Sequence, residues 1–250
     1  MSKTKPKFLI TRPQPSASHL ASRLQQAGYS TLCQPLFDYQ PKDDIAKLKR
    51  SLNKDLTDSP PIYIFVSVAA VTFANQVIPI ATWPKGQFIA IGNATQSALA
   101  TAGIKQVITP TVHTSEGLLN LNVLQNVKGR SVVIIRGESG RELIAKQLTQ
   151  QGAHVQYFES YQKCWFSLNY DIAEQWLNEN IEGVIITSNA LLESVVQLTK
   201  NSDNFWQNTC LWIVASERIA KRALELGLNN VICAYGASDE AILDSLRNLE

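Results

Sequence analysis

Among 250 residues there are only four cysteines, three histidines and one methionine. Cys33, Cys164, Cys210 and Cys233 contain no C-x-x-C pair and no metal-ligand spacing, which excludes a disulfide framework or a zinc motif of the usual kind. Three of the four sit in apolar, strand-like runs and read as buried free thiols. His19, His113 and His154 are scattered, with no H-E-x-x-H among them, so no metal is expected. Long apolar runs are missing too. Stretches such as 62–66 and 183–186 fall far short of the roughly 18 residues that cross a bilayer. The opening MSKTKPKFLI has no apolar h-region, so no signal peptide and no membrane association are expected, and the compartment read from this is the cytoplasm.

Charge of one sign is also lacking. With 23 basic and 21 acidic residues the net charge is +2, which argues against a general nucleic-acid footprint but leaves room for a local basic pocket. Neither G-x-x-x-x-G-K-[ST] nor G-x-G-x-x-G occurs, and there is no G-x-S-x-G elbow. Nothing supplies a Ser-His-Asp set or a Cys-His pair. A classical NTPase is thereby set aside, and covalent catalysis is unsupported.

What the chain does have is apolar residue in bulk, 45% of the total, enough for one large core or two small ones. The stretch SVVIIRGESGRELI (131–144) reads as a buried strand, a glycine-bearing loop and the start of an amphipathic helix. Ser139 and Glu142 have capping-box spacing, which predicts a helix beginning near Gly140; Asn93 and Gln96 repeat that spacing. Similar units recur along the chain. Strands are expected at 8–11, 62–67, 88–91, 107–109, 184–187, 211–215 and 231–234, with helices between them, one over 43–52 and the last over 241–249. This alternation implies parallel sheets covered by helices on both faces.

The repeat has a fixed offset. Ile10-Thr11-Arg12 matches Ile134-Ile135-Arg136, Gly28 matches Gly152, Gly103 matches Gly227 and Ile108 matches Ile232, all 124 positions apart, so two similar halves follow. The extended runs 29–41 and 153–165 are copies of each other and end without a turn signal. They could pair as a two-stranded bridge, leaving the first βα unit of each half in the globule made by the remainder of the other.

In open parallel sheets ligands lie beyond the carboxyl ends of the strands. Those positions hold Arg12, Ser67, Gly92 with Thr95, Gly137, Ser188, and Ser216 with Arg218, a set rich in donors for an anion. Each hydroxyl would serve equally well as a helix cap. Arg136 and Arg141 flank the helix start after the strand at 132–135 and suit an anionic ligand. Tyr161, in FESYQKC, could face a cleft and donate a proton, or simply pack.

The ordered set TRP, FVSVAAVTFA, AIGNATQSAL, IRGESGRELI, SYQKC, ITSNALL and VASERIAKRALELG resembles the bacterial type of the uroporphyrinogen-III synthase family over almost the whole chain. The resemblance implies an α/β protein of two flavodoxin-like parallel-sheet domains, internally duplicated and joined by a two-stranded β-ladder. Residues 1–29 with 168–250 would form one domain, 43–152 the other, and 30–42 with 153–167 the ladder. It implies a cofactor-free lyase of tetrapyrrole and haem biosynthesis. Its substrate is hydroxymethylbilane, a linear tetrapyrrole with acetate and propionate chains on every ring, delivered by hydroxymethylbilane synthase. The product is uroporphyrinogen III, formed with loss of water and inversion of ring D through a spiro intermediate. By position Tyr161 corresponds to the family's tyrosine assisting departure of the hydroxyl, and Thr95 and Ser188 to hydroxyls lining the cleft. Arg12, Ser67, Gly137 and Ser216 are placed by the same correspondence. At Ala215-Ser216-Glu217 the chain departs from a glycine-proline loop found in many members. A monomer is expected. The competing reading is a two-domain small-molecule binding or sensor protein without catalysis.

Overall fold

The computed structural model describes residues 5–42, 52 and 59–247. Apart from Leu52, the helix expected over 43–52 lies outside the described residues, as do 248 and 249 of the last helix. The apolar runs form the strands and the amphipathic stretches the helices. In order these are β1 (Lys7–Ile10), α1 (Ser16–Gln26), β2 (Ser30–Cys33), β3 (Phe37–Pro41), β4 (Ile62–Phe65), α2 (Val68–Val77), β5 (Gln87–Ala90), α3 (Asn93–Thr101), β6 (Val107–Ile108) and α4 (Ser115–Leu119). Then come β7 (Ser131–Gly137), α5 (Leu143–Gln150), β8 (His154–Trp165), α6 (Ile172–Asn178), β9 (Gly183–Ile186) and α7 (Asn189–Thr199). The last are α8 (Phe205–Asn208), β10 (Leu211–Val214), α9 (Glu217–Glu225), β11 (Val231–Cys233) and α10 (Asp239–Arg247).

The chain divides into two compact units, Met1–Asp38 with Cys164–Glu250, and Tyr39–Lys163. The first holds a five-stranded sheet in the order β11-β10-β9-β1-β2, with parallel neighbours throughout. The second holds a six-stranded sheet in the order β3-β8-β7-β4-β5-β6, parallel from β8 to β6. The first strands of each half therefore sit with the remainder of the other half. Of the extended runs, β3 lies beside β8, with bonds from Lys42 N–H to Ser160 O (3.1 Å) and from Phe166 N–H to Leu36 O (2.9 Å). Ser30–Cys33 instead takes a parallel place beside β1.

Both faces of the six-stranded sheet are covered, so its strands read as continuous apolar runs rather than alternating ones. Successive side chains point to opposite faces: Ile62, Ile64, Val132 and Ile134 enter one core, while Tyr63, Phe65, Val133, Ile135 and Phe158 enter the other. In the first unit Phe8, Ile10, Ile185 and Ile213 pack against Leu20 and Leu24 of α1 and Ile242 and Leu246 of α10. Each such fully buried side chain contributes about 2 kcal/mol of transfer free energy. Helices α1, α3, α5 and α9 run into Gly28, Gly103, Gly152 and Gly227, whose φ values of +86°, +93°, +86° and +83° let the chain turn out of the helix without the Cβ penalty.

Two local expectations are corrected. The Ser139–Glu142 capping box does not form: α5 begins at Leu143, and Glu142 in the cap position makes no side-chain bond. Gly140 has φ +155°, a conformation no helix allows, and the loop it turns folds over Arg136 instead. At the second site α3 begins at Asn93 after Gly92 with no side-chain cap, and the Gln96 amide donates to Val107 O (3.3 Å). The four cysteines are free thiols, and burial pushes the Cys210 thiol upward. No helix among the described residues is long and apolar enough to cross a membrane.

Candidate functional site

The carboxyl ends of β4 and β7 in the second unit open into a cavity of about 430 Å³. Its lining includes Ser67, His113, Ser115, Arg136, Gly137, Tyr157 and Tyr161. Ser67 is extended (φ −165°, ψ 162°) and caps α2, its Oγ accepting the Ala70 N–H at 3.0 Å. The same Oγ lies 3.3 Å from the Tyr161 hydroxyl. Either hydroxyl can donate in this contact, because the serine oxygen keeps a second lone pair and its own O–H beside the bond to the backbone.

Tyr161 reaches Ser67 through an irregularity in β8. The pairing of β7 with β8 runs from Ser131–His154 to Arg136–Glu159 and then jumps to Gly137–Tyr161, leaving Ser160 as the extra residue. A regular strand would put Tyr161 on the face of Tyr157; the bulge re-aims it to the opposite one. Ser160 is fully buried, and its hydroxyl lies 3.3 Å from both Ala70 O and Arg136 O, joining β8 to α2 and β7. The ring of Tyr161 then rests edge-on against Tyr39 (centroids 4.9 Å) and tilted against Phe73 (5.5 Å). Gly137 completes the seat: a Cβ there would stand 2.7 Å from the Tyr161 ring, so only glycine permits this approach. Burial, and then the neighbouring Tyr161, push the Tyr39 phenol upward.

Arg136 is the buried charged group of the cavity, only 5% exposed, and the exposed Arg141 also lines it. Its Nε donates to Gly137 O (3.2 Å), and the guanidinium carbon stands 4.6 Å from the centre of the Tyr157 ring. Glu159, its partner in register, and Glu138, two residues on, both go to Lys42, at 2.8 and 3.1 Å. The bonds to Glu159 and Glu138 raise the lysine's pKa. Among the described residues Arg136 has no carboxylate within ion-pair distance. A buried cation without a counter-charge costs several kcal/mol of desolvation. Burial and Glu142 push the Tyr157 phenol upward, while Arg136 pulls it partly back. Arg141 is exposed and faces Glu116 at 3.6 Å.

The remaining sequence-derived residues lie elsewhere. Thr95 is 3% exposed in the first turn of α3, outside the cavity lining. Arg12, Ser188 and Ser216 belong to the first unit, at the carboxyl ends of β1, β9 and β10. Ser188 caps α7 through the Leu191 N–H (3.3 Å), whereas the Ser216 side chain makes no cap bond. Arg12 is 8% exposed and internally committed: Nε donates to Ser16 O (2.9 Å), Nη1 to Ala237 O (3.4 Å), and Nη2 pairs with the Asp239 carboxylate. Structure thus gathers Ser67, Arg136, Gly137, Arg141 and Tyr161 at one cavity. Sequence reasoning passed over His113, Ser115 and Tyr157, which also line it. Among the described residues no group of three or more His, Cys, Asp or Glu side chains is arranged to hold a metal.

Comparison with known proteins places the whole chain. The sequence profile of the family "Uroporphyrinogen-III synthase HemD" matches residues 18–244. The uroporphyrinogen-III synthases of Escherichia coli K12 and Salmonella typhimurium LT2 are each 34% identical over 248 residues, covering 96% of this chain and 99% of theirs. In fold, a mutant uroporphyrinogen III synthase from the extreme thermophile Thermus thermophilus superposes with a TM-score of 0.60 at 14% identity, covering 97% of this chain and 98% of its own. The uroporphyrinogen-III synthetase of Helicobacter pylori 26695 does so with a TM-score of 0.60 at 16% identity, covering 98% of this chain and 100% of its own.

Proposed function

The chain belongs to the uroporphyrinogen-III synthase family, and from that premise we propose that it closes hydroxymethylbilane to uroporphyrinogen III, acting as a cyclising lyase in tetrapyrrole biosynthesis. The observation that supports a working site is the convergence of an unpaired buried cation, Arg136, with the Ser67–Tyr161 hydroxyl pair around one cavity.

The chemistry asks little of the protein beyond placement. The terminal hydroxyl of the bilane leaves as water, expelled by an electron-rich pyrrole. Tyr161 gives its proton to that oxygen, and the Ser67 O–H steadies the phenol oxygen as the proton departs. The methylene cation is then attacked by the substituted carbon of ring D, and the spiro intermediate opens and recloses with that ring inverted. Holding the bilane so that this carbon meets the cation supplies most of the acceleration. In this reading Arg136 takes a substrate carboxylate through charge-assisted, two-pronged bonds. Gly137 keeps the space that Tyr161 needs. Arg12, Thr95, Ser188 and Ser216 join the proposed contact set on family position alone. The domains are taken as 1–29 with 168–250 and as 43–152, linked by 30–42 and 153–167, segments whose strands Ser30–Cys33 and His154–Trp165 join the first and second sheets. The chain is further proposed to work as a cytoplasmic monomer, receiving its substrate from hydroxymethylbilane synthase.

The test is direct. Freshly made hydroxymethylbilane is supplied, and the uroporphyrin isomers are resolved after oxidation. Type III is expected from the chain, and Tyr161→Phe is expected to lower its rate by roughly a hundredfold. Type I alone, the product of spontaneous closure, would remove the enzymatic reading; an unchanged rate in Tyr161→Phe would remove Tyr161 from proton transfer.

A further inference from the structure

The two buried arginines are copies of one another. The offset of 124 positions that carries Arg12 onto Arg136 also carries Ser115 onto Asp239. That correspondence holds in three dimensions. Asp239 and Ser115 are each the first residue of their helix, α10 and α4. The residues just before them, Ser238 and Thr114, make the same bond, accepting the Ala241 N–H at 3.2 Å and the Gly117 N–H at 3.0 Å. In the first unit the residue at this position supplies the carboxylate that Arg12 holds. Its counterpart in the second unit is a serine, and it lines the cavity with Arg136. The nearby acids do not substitute for it: Glu142, whose charge reaches Tyr157, makes no ion pair with Arg136 among the described residues. Glu138 and Glu159 are held by Lys42, and Glu116 faces Arg141.

We infer that Ser115 is the specificity-determining residue of this cavity: as a serine where the repeat has Asp239, it leaves the buried Arg136 guanidinium open to an external carboxylate. The first unit displays, within the chain itself, the chemistry the second unit leaves for its ligand. A carboxylate fits both the arginine and the repeat's own precedent, and under the proposed function, on which this inference rests, it is an acetate or propionate arm of the tetrapyrrole. Replacing Ser115 by aspartate would give Arg136 the internal partner that Arg12 already has.

The experiment compares Ser115→Asp with Ser115→Asn in the full chain. The two substitutions add nearly the same bulk, so their ratio isolates charge. Aspartate is acceptable at the first position of a helix, as Asp239 shows, and circular dichroism checks that both variants fold. The KM for hydroxymethylbilane is expected to be about 10- to 100-fold higher in Ser115→Asp than in Ser115→Asn, and the affinity for uroporphyrin III, read by fluorescence, to differ by a like factor. Equal KM values in a chain that still makes type III would overturn the inference and leave the function standing. If the chain made only type I, the function would fall and uroporphyrin III would decide. Weaker binding by Ser115→Asp than by Ser115→Asn would support the site; equal binding by the two, or none by the parent chain, would overturn it.

Discussion

The two halves of the repeat handle the same problem in opposite ways. Each buries an arginine at the end of its leading strand, Arg12 at 8% exposure and Arg136 at 5%. In the first unit the guanidinium is satisfied from within, by two backbone carbonyls and Asp239. In the second the neighbouring acids are drawn off by Lys42, and the cation is left beside a cavity and a pair of hydroxyls. One arginine is thus paired within the protein, and the other has no carboxylate partner among the described residues. The sequences around them, ITRP and IIRG, are too alike to reveal this; the difference lies in what a distant helix start supplies.

The largest effect expected from breaking the contrast is in the first unit. Asp239→Asn leaves Arg12 buried without its partner and is expected to destabilise the fold by about 3 kcal/mol, measured by urea unfolding. A loss within about 0.5 kcal/mol would show that the pair is an ordinary surface contact. A smaller effect separates the two sheets at high pH. Tyr63 in β4 stands where β9 has Val184, and burial pushes its phenol up to about 12 from an ordinary value of 10.0. Because the folded-state value is the raised one, this contribution is complete below pH 10.0 and is lost as the pH climbs through about 12. Removing the phenol in Tyr63→Phe is expected to abolish up to roughly 2 kcal/mol of the stability lost over that interval, read as a flatter alkaline unfolding profile. Cys210, raised by burial in the first unit, would keep its own loss in that variant. An unaltered profile would place the alkaline sensitivity outside the second unit's core.

Much of the architecture is legible in the residues. Short apolar runs buried on both faces, helices stopped by glycine at 28, 103, 152 and 227, and the constant offset between halves suffice for two parallel sheets. What escapes is what depends on distant partners. Ser139 and Glu142 have capping spacing, yet Gly140 turns their loop over Arg136, and α5 starts at Leu143. Tyr161 can be singled out from its run, but only the bulge at Ser160 brings it to Ser67 and Gly137. Arg12 carries no local sign of its pairing with Asp239, 227 positions away. Ser115 has no local signal at all; its significance comes only from the residue it replaces in the repeat.

The central claim is that Arg136 is held unpaired in order to bind a substrate carboxylate, and Arg136→Met tests it most directly. Methionine keeps the apolar stem and removes the charge, so urea unfolding is expected to stay within about 1 kcal/mol of the parent chain or above it. The KM for hydroxymethylbilane is expected to rise on the order of 10- to 100-fold. An unchanged KM accompanied by a marked loss of stability would contradict the account, because Arg136 would then serve the fold and not a ligand.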